Sequence, residues 1–248
     1  EGFLVDYAAI DKTTARLKNG AKYSELSDAE KKEYDEVFAE EGALPDNLKE
    51  KQGNEFYKNI INIPTIKLVL ETLMNEGLRV DNGERLGKSI VFAVDHDHAE
   101  KIVKTFKDVY PDKGDDYCQL VDYSVSKAGT IIDDFKMPEK EPIIAVSVDM
   151  LDTGIDVPEV LNLVFFKRVY SVIKFWQMIG RGTRVCKDFN VFSPSKEFFG
   201  KGKEGITNAE LKPYSEKQGF YIFDFCDNFD FFDINPKGKI TGGGLNLS

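Results

Sequence analysis

Two arginines set three residues apart close the most chemically pointed segment of the sequence, Gln177-Met178-Ile179-Gly180-Arg181-Gly182-Thr183-Arg184. Side chains at that spacing reach one side of a helix end or of the turn that follows it, and Gly180 and Gly182 let a ligand come close to the backbone. Two guanidinium forks aimed at one point suit the oxygens of a phosphate chain. The same residues serve equally well as a helix stop at Gly180 followed by two arginines paired with surface carboxylates, and an isolated Gly-Arg-x-x-Arg does not choose between these readings. Upstream runs Asp149-Met150-Leu151-Asp152-Thr153-Gly154-Ile155-Asp156-Val157-Pro158, directly after an apolar run of strand length. Open α/β sheets bind ligands beyond the carboxyl ends of their strands, which makes a carboxylate-rich turn holding a glycine a candidate site there. Its plain alternative is an ordinary Asp-rich turn.

Charge is distributed unevenly along the chain. A formal net charge of -10 argues against nucleic-acid binding through the overall field, since such domains usually carry a basic surplus. Between Glu159 and Asp188, however, there is no acidic residue, whereas Lys167, Arg168, Lys174, Arg181, Arg184 and Lys187 all fall there. That stretch is expected to face anions, and the acid-dense residues 25–50 to face solvent.

Other constellations carry less. The segment 83–89, Gly-Glu-Arg-Leu-Gly-Lys-Ser, imitates a phosphate loop but is one residue short between its glycines and leads into a strand instead of a helix. His96 and His98 alternate around Asp97, and no other histidine exists to complete a metal site, so a helix-start loop is the better reading. Asp133-Asp134 and the acids at 227–230 lack the Glu-x-Lys partner of a nuclease centre and read as solvated charge. Trp176, at helical spacing, reads as core. Cys118, Cys186 and Cys226 share neither a metal-type nor a disulfide-type spacing and read as reduced thiols.

These segments need elements to hold them. Apolar runs of strand length at 89–94, 118–123, 143–148, 162–166 and 220–225 alternate with amphipathic helical patterns, as in a parallel sheet built from βαβ units. The near-continuous apolarity of the third and fourth runs suits strands covered on both faces. The fold class expected is α/β, a three-layer α/β/α sandwich. Helices are expected after Asp97, from Ser126 and from Ser171, and a polar insertion at 190–219. Ser27 and Glu30 form a capping box opening a charged helix, and Pro64 and Thr65 open another bearing Ile66, Val69, Leu70 and Leu73. Residues 1–80 are therefore expected to be a helical connector, 81–232 the main domain and 233–248 a Gly-rich tail. The absence of a long apolar run and of a leader favours a cytoplasmic protein with no membrane contact, and a start at Glu1 suggests a piece of something longer.

Taken in order, DxxxxGxD after a strand and QxxGRxxR on a helix resemble motifs V and VI of superfamily 2 helicases, and 89–93 fits the strand bearing motif IV. Residues 2–5, 85–88, 95–100, 122–124, 145–160, 174–184 and 221–225 further resemble the restriction subunit of type I restriction-modification enzymes. That resemblance implies a second RecA-like motor domain of an ATP-dependent DNA translocase and endonuclease, working with methylation and specificity subunits on double-stranded DNA. It implies that Arg181 and Arg184 act as arginine fingers toward ATP and Mg²⁺ bound mainly on a first motor domain, with Gly154, Asp156, Gln177 and Gly180 near the nucleotide. Thr153, Lys167, Arg168 and Lys174 would face nucleic acid, and the fragment alone would be inactive. Val148 departs from the pattern, standing where many superfamily 2 proteins have a DNA-contacting Thr. Another superfamily 2 helicase or remodelling motor, or a non-catalytic DNA-binding or docking module, would share these features.

Overall fold

The computed structural model describes residues 4–12, 61–122, 128–148, 150–151, 156–169, 171–193, 214–217 and 219–232. In chain order the elements are β1 (Asp6–Asp11), α1 (Ile63–Glu76), β2 (Arg79–Val80), β3 (Arg85–Leu86), β4 (Lys88–Phe92), α2 (His96–Val109), β5 (Cys118–Val121), α3 (Ala128–Phe135), β6 (Ile144–Ser147), β7 (Val160–Phe165), α4 (Val172–Ile179), β8 (Lys187–Val191), β9 (Tyr214–Glu216), β10 (Gly219–Asp224) and α5 (Asn228–Phe231).

Six strands form one sheet in the order β1-β10-β7-β4-β6-β5, every pairing parallel. Every residue of β4, β6, β7 and β10 is buried, which is what strands covered on both faces require. Alternation divides their side chains. Leu161, Val164, Tyr221, Phe223 and Val91 pack with α1 and α2, while Leu163, Phe165, Phe220, Ile222 and Phe92 pack with α3, α4 and α5. The three-layer α/β/α sandwich expected from the sequence is the one observed.

Local chemistry sets the helix starts. Asn62 caps α1 by accepting from the Thr65 N–H, with a proline in the first turn, and Ile66, Val69, Leu70 and Leu73 form its buried face. Asp95 caps α2 by accepting from the His98 N–H, two residues ahead of the expected Asp97. Ser171 caps α4 as expected.

Three expectations need correction or bounding. First, the described parts of 1–80 are not a connector ahead of the domain. β1 is an edge strand of the sheet, in register from Asp6↔Gly219 to Asp11↔Asp224, and α1 shares the core of Val91, Phe166 and Tyr221. With a neighbour on one side only, β1 needs little apolar sequence, and only Tyr7 and Ala9 are buried. Second, the ends of the expected insertion at 190–219 form a ribbon, β8 with β9, antiparallel from Lys187↔Glu216 to Val191↔Tyr214. Third, the helix expected after Ser27, the helix start at Ser126 and the tail lie outside the described residues.

Candidate functional site

The course of the chain between β6 and α4 builds the site. β6 ends at Ser147, whose hydroxyl accepts from the Leu151 N–H at 3.0 Å and turns the chain off the carboxyl edge of the sheet. Asp149, Asp152, Thr153, Gly154 and Ile155 lie outside the described residues. The chain is described again at Asp156, four residues before β7 begins, so Asp156 stands at the opposite, amino edge. β7 carries the chain back, Ser171 turns it, and the eight residues of α4 return it to the amino edge, burying Phe175, Met178 and Ile179.

There the helix unwinds into a tight turn. The Gly180, Arg181 and Gly182 amides donate to the carbonyls of Trp176, Met178 and Ile179, and the Thr183 hydroxyl donates to the Gly180 carbonyl at 3.0 Å. Gly182 lies against the Phe220 ring, which a Cβ would meet at 2.3 Å, so no other residue fits without a shift. The Val5 N–H donates to the Thr183 carbonyl, and Leu4 bridges Arg184, tying the turn to the start of β1. Arg184 then reaches Asp156, Nε to Oδ1 at 3.0 Å, with both side chains more than half exposed at 54% and 66%. Arg181 Nε donates to the Gln177 carbonyl at 3.3 Å.

Arg184 therefore meets Asp156, and Gln177, Gly180 and Arg181 share the turn just before it, at the amino edge and not beyond the carboxyl ends where the Asp-rich turn was expected. The reason is covalent: a segment joining two parallel strands must cross from one edge to the other. An exposed carboxylate on Arg184 orients the planar fork while leaving it accessible, and Arg181 sits one turn of chain away. Such a pair fits an anion with several oxygens.

The basic stretch divides between the two edges. Lys167 is buried, its ammonium donating to the Val148 carbonyl at the end of β6. Arg168 donates to the Cys226 carbonyl at 3.2 Å, lies 3.9 Å from the Asp227 carboxylate and covers the Phe231 ring. Lys174 is in the first turn of α4, half-buried. Lys167 and Arg168 thus fasten the carboxyl-edge loops instead of joining the arginines in one patch.

Four residues have roles that the sequence did not reveal. Asn162, buried in β7, accepts from the Leu78 N–H at 2.7 Å and donates to the Leu78 carbonyl and the Ser89 hydroxyl. Asp224, buried at the end of β10, accepts from the Cys226 and Phe229 amides and from Asn228, yet burial still holds its carboxyl up at about 6. Lys88 donates to the carbonyls of Lys140 and Pro142, and Lys217 to those of Pro158 and Val160; burial pulls them down to about 8 and about 7. Lysine and aspartate are surface residues by default, so only their placement against strand ends could have given them away.

Lys88 also settles the imitation phosphate loop: Gly87 packs on Leu161 and Lys88 is spent on two backbone carbonyls. His96 pairs with Asp122 at 2.7 Å and Glu100 at 3.3 Å, the hydrogen bond to Asp122 raising its pKa most. Asp133 and Asp134 pair with Lys136 and Lys140. Trp176 packs on the core beside Phe175. Among the described residues no group of three or more His, Cys, Asp or Glu could hold a metal ion, and no helix is long and apolar enough to cross a membrane.

The family model of the helicase conserved C-terminal domain matches residues 65–186. The endonuclease subunit of the type I restriction enzyme EcoAI of Escherichia coli is 35% identical over 171 residues, 63% of this chain and 21% of that subunit. Its EcoKI counterpart from strain K12 is 38% identical over 111 residues, 42% of this chain. The chain spans 21% and 9% of the length of these two relatives. A solved fragment of an HsdR subunit assigned to a type I restriction enzyme of Vibrio vulnificus YJ016 superposes over 90% of this chain and 32% of its own, with a TM-score of 0.53 at 20% identity, a likeness of fold. Residues 65–186 thus match the helicase conserved C-terminal domain, and parts of the chain are similar in sequence to the endonuclease subunits of type I restriction enzymes.

Proposed function

We propose that this chain is the second motor domain of an ATP-driven translocase of double-stranded DNA, working in the cytoplasm with methylation and specificity subunits. Its amino edge faces ATP and Mg²⁺ bound mainly on a first motor domain, and Arg181 and Arg184 are its arginine fingers. The observation that carries this reading is the Asp156–Arg184 contact, which joins the two sequence motifs at one exposed point beside Arg181. Asp156, Gln177 and Gly180 shape the nucleotide-facing turn, and Thr153 and Gly154 belong to the same segment.

DNA runs along the carboxyl edge, past Arg168 and Lys174, with Lys167 fixing the backbone there. The segment after β6 leaves that edge and ends at Asp156 on the other, so a shift at the DNA has a covalent route to the arginines. Catalysis by this half is electrostatic, since an arginine finger stabilises charge developing on the transferred phosphoryl group. Without the first domain the chain does not turn over ATP. Arg181→Ala and Arg184→Ala in the intact subunit test the reading: DNA-stimulated ATP hydrolysis should collapse while the melting temperature holds.

A further inference from the structure

Lys217 is 2% exposed and lies just ahead of β10, at the same amino edge as Asp156 and Arg184. Its ammonium donates to the Pro158 carbonyl at 2.8 Å and to the Val160 carbonyl at 2.6 Å, the two peptide groups that flank Glu159 and carry the chain from Asp156 into β7. Its backbone N–H donates to the Cys186 carbonyl at 2.9 Å, two residues beyond Arg184. One residue therefore grips the segment bearing Asp156 with its side chain and the segment bearing Arg184 with its backbone.

Stability alone does not call for an ammonium here. Burial penalises the charge by more than the nearby Cys186 and Glu159 offset, and a methionine of the same reach would fill the slot and lie on the Phe220 ring, which Lys217 Nζ approaches to 5.6 Å, without that net penalty. What a methionine could not do is hold two carbonyls in fixed directions. Glu159, between them, has one carboxylate oxygen buried without a hydrogen bond and accepts on the other only from the Cys186 thiol at 4.0 Å, a looser tie than the two short contacts of the ammonium.

We propose that Lys217 is a positioning residue for the arginine turn, fixing the Asp156 segment against the Arg184 segment so that the guanidinium is presented in one orientation. The proposal rests on the nucleotide-facing reading given above. Arg184 acts in the transition state, so loosening it should lower kcat and leave the apparent KM for ATP nearly unchanged. A residue that merely stabilised the fold would move the melting temperature and leave both constants intact in the folded protein.

The test compares wild type, Lys217→Met and Arg184→Ala in the intact subunit assembled with its partners, measuring DNA-stimulated ATP hydrolysis against ATP concentration well below each melting midpoint. Lys217→Met is expected to lower kcat about tenfold to a hundredfold, the cost of misplacing a catalytic group by about 1 Å, with KM within about threefold. If Lys217→Met melts below the assay temperature, Lys217→Gln, which keeps an amide donor, is held to the same criterion. Arg184→Ala without turnover beside Lys217→Met with wild-type kcat overturns the positioning role and leaves the nucleotide reading standing. Near-normal turnover by Arg184→Ala overturns both. Asp156→Ala adds a coupling readout: Lys217→Met should cost little more in that background, whereas independent, multiplying losses count against the proposal.

Discussion

Replacing Gly182 by alanine adds one methyl group at the most crowded point of the arginine turn. Its Cβ would stand 2.3, 2.4 and 2.6 Å from three atoms of the Phe220 ring, where ordinary contact begins near 3.4 Å, so something must yield by about 1 Å. The ring cannot easily do so. Phe220 is fully buried, with Tyr7 at a centroid distance of 5.8 Å and the Lys217 ammonium over its face. The turn cannot move freely either, since the Gly182 amide is bonded to Ile179 and the Thr183 carbonyl to Val5. Overpacking of this kind costs about 1–3 kcal/mol, and the tight geometry puts Gly182→Ala in the upper half of that range. For a chain of 248 residues this corresponds to a melting temperature lower by about 4–12 °C. Urea unfolding should show a lower midpoint with an unchanged slope, because the same surface is exposed. Stability within about 0.5 kcal/mol of wild type would refute the packing argument, since a surface site tolerates alanine at that level.

Gly129 has nothing within 4 Å of its Cβ position and lies in α3, so Gly129→Ala should stabilise by about 0.5–1 kcal/mol; a lower urea midpoint would contradict it. Asn162→Leu leaves the buried Leu78 N–H without its partner, while the Leu78 carbonyl and the Ser89 hydroxyl keep their bonds to Gly87, and should cost about 1–3 kcal/mol by urea unfolding. Asp224, held at about 6 against an ordinary 3.8, keeps its proton in the folded protein after the unfolded chain has lost it. That contribution is full below pH 3.8 and is lost as pH rises to about 6, a change of up to about 3 kcal/mol. Asp224→Asn should flatten this slope in stability measured across that window, and an unaltered slope would place the titration elsewhere.

The central strands were legible because burial on both faces leaves a near-continuous apolar run, as at 143–148 and 161–166, interrupted only by Ser147 and Asn162. The observed β6 and β7 fall inside or within one residue of those runs. β1 was not legible, because an edge strand reading Asp-Tyr-Ala-Ala-Ile-Asp owes its place to pairing with β10 more than 200 residues later. That Arg181, Arg184 and Asp156 are candidates for anion chemistry could be read from residue type and spacing. Their meeting point at the amino edge could not, because it depends on the length of α4 and on which strand follows the Asp-rich segment. Lys167 shows the same limit: a lysine beside arginines reads as surface charge, and only the end of β6 reveals that its ammonium serves the Val148 carbonyl. Burial likewise sets the roles of Lys88 and Lys217, whose ammonium groups donate to backbone carbonyls.

The measurement that bears most directly on the whole account is DNA-stimulated ATP hydrolysis by the intact subunit carrying Arg181→Ala or Arg184→Ala, with melting temperatures taken on the same preparations. Each substitution should lower turnover by roughly 10³ to 10⁵, while the exposed Arg184–Asp156 pair contributes about 1 kcal/mol or less to stability, and lysine should not restore activity at either position. Turnover near wild type in both variants would contradict the account, leaving the two arginines as surface residues of a domain whose nucleotide contacts lie elsewhere.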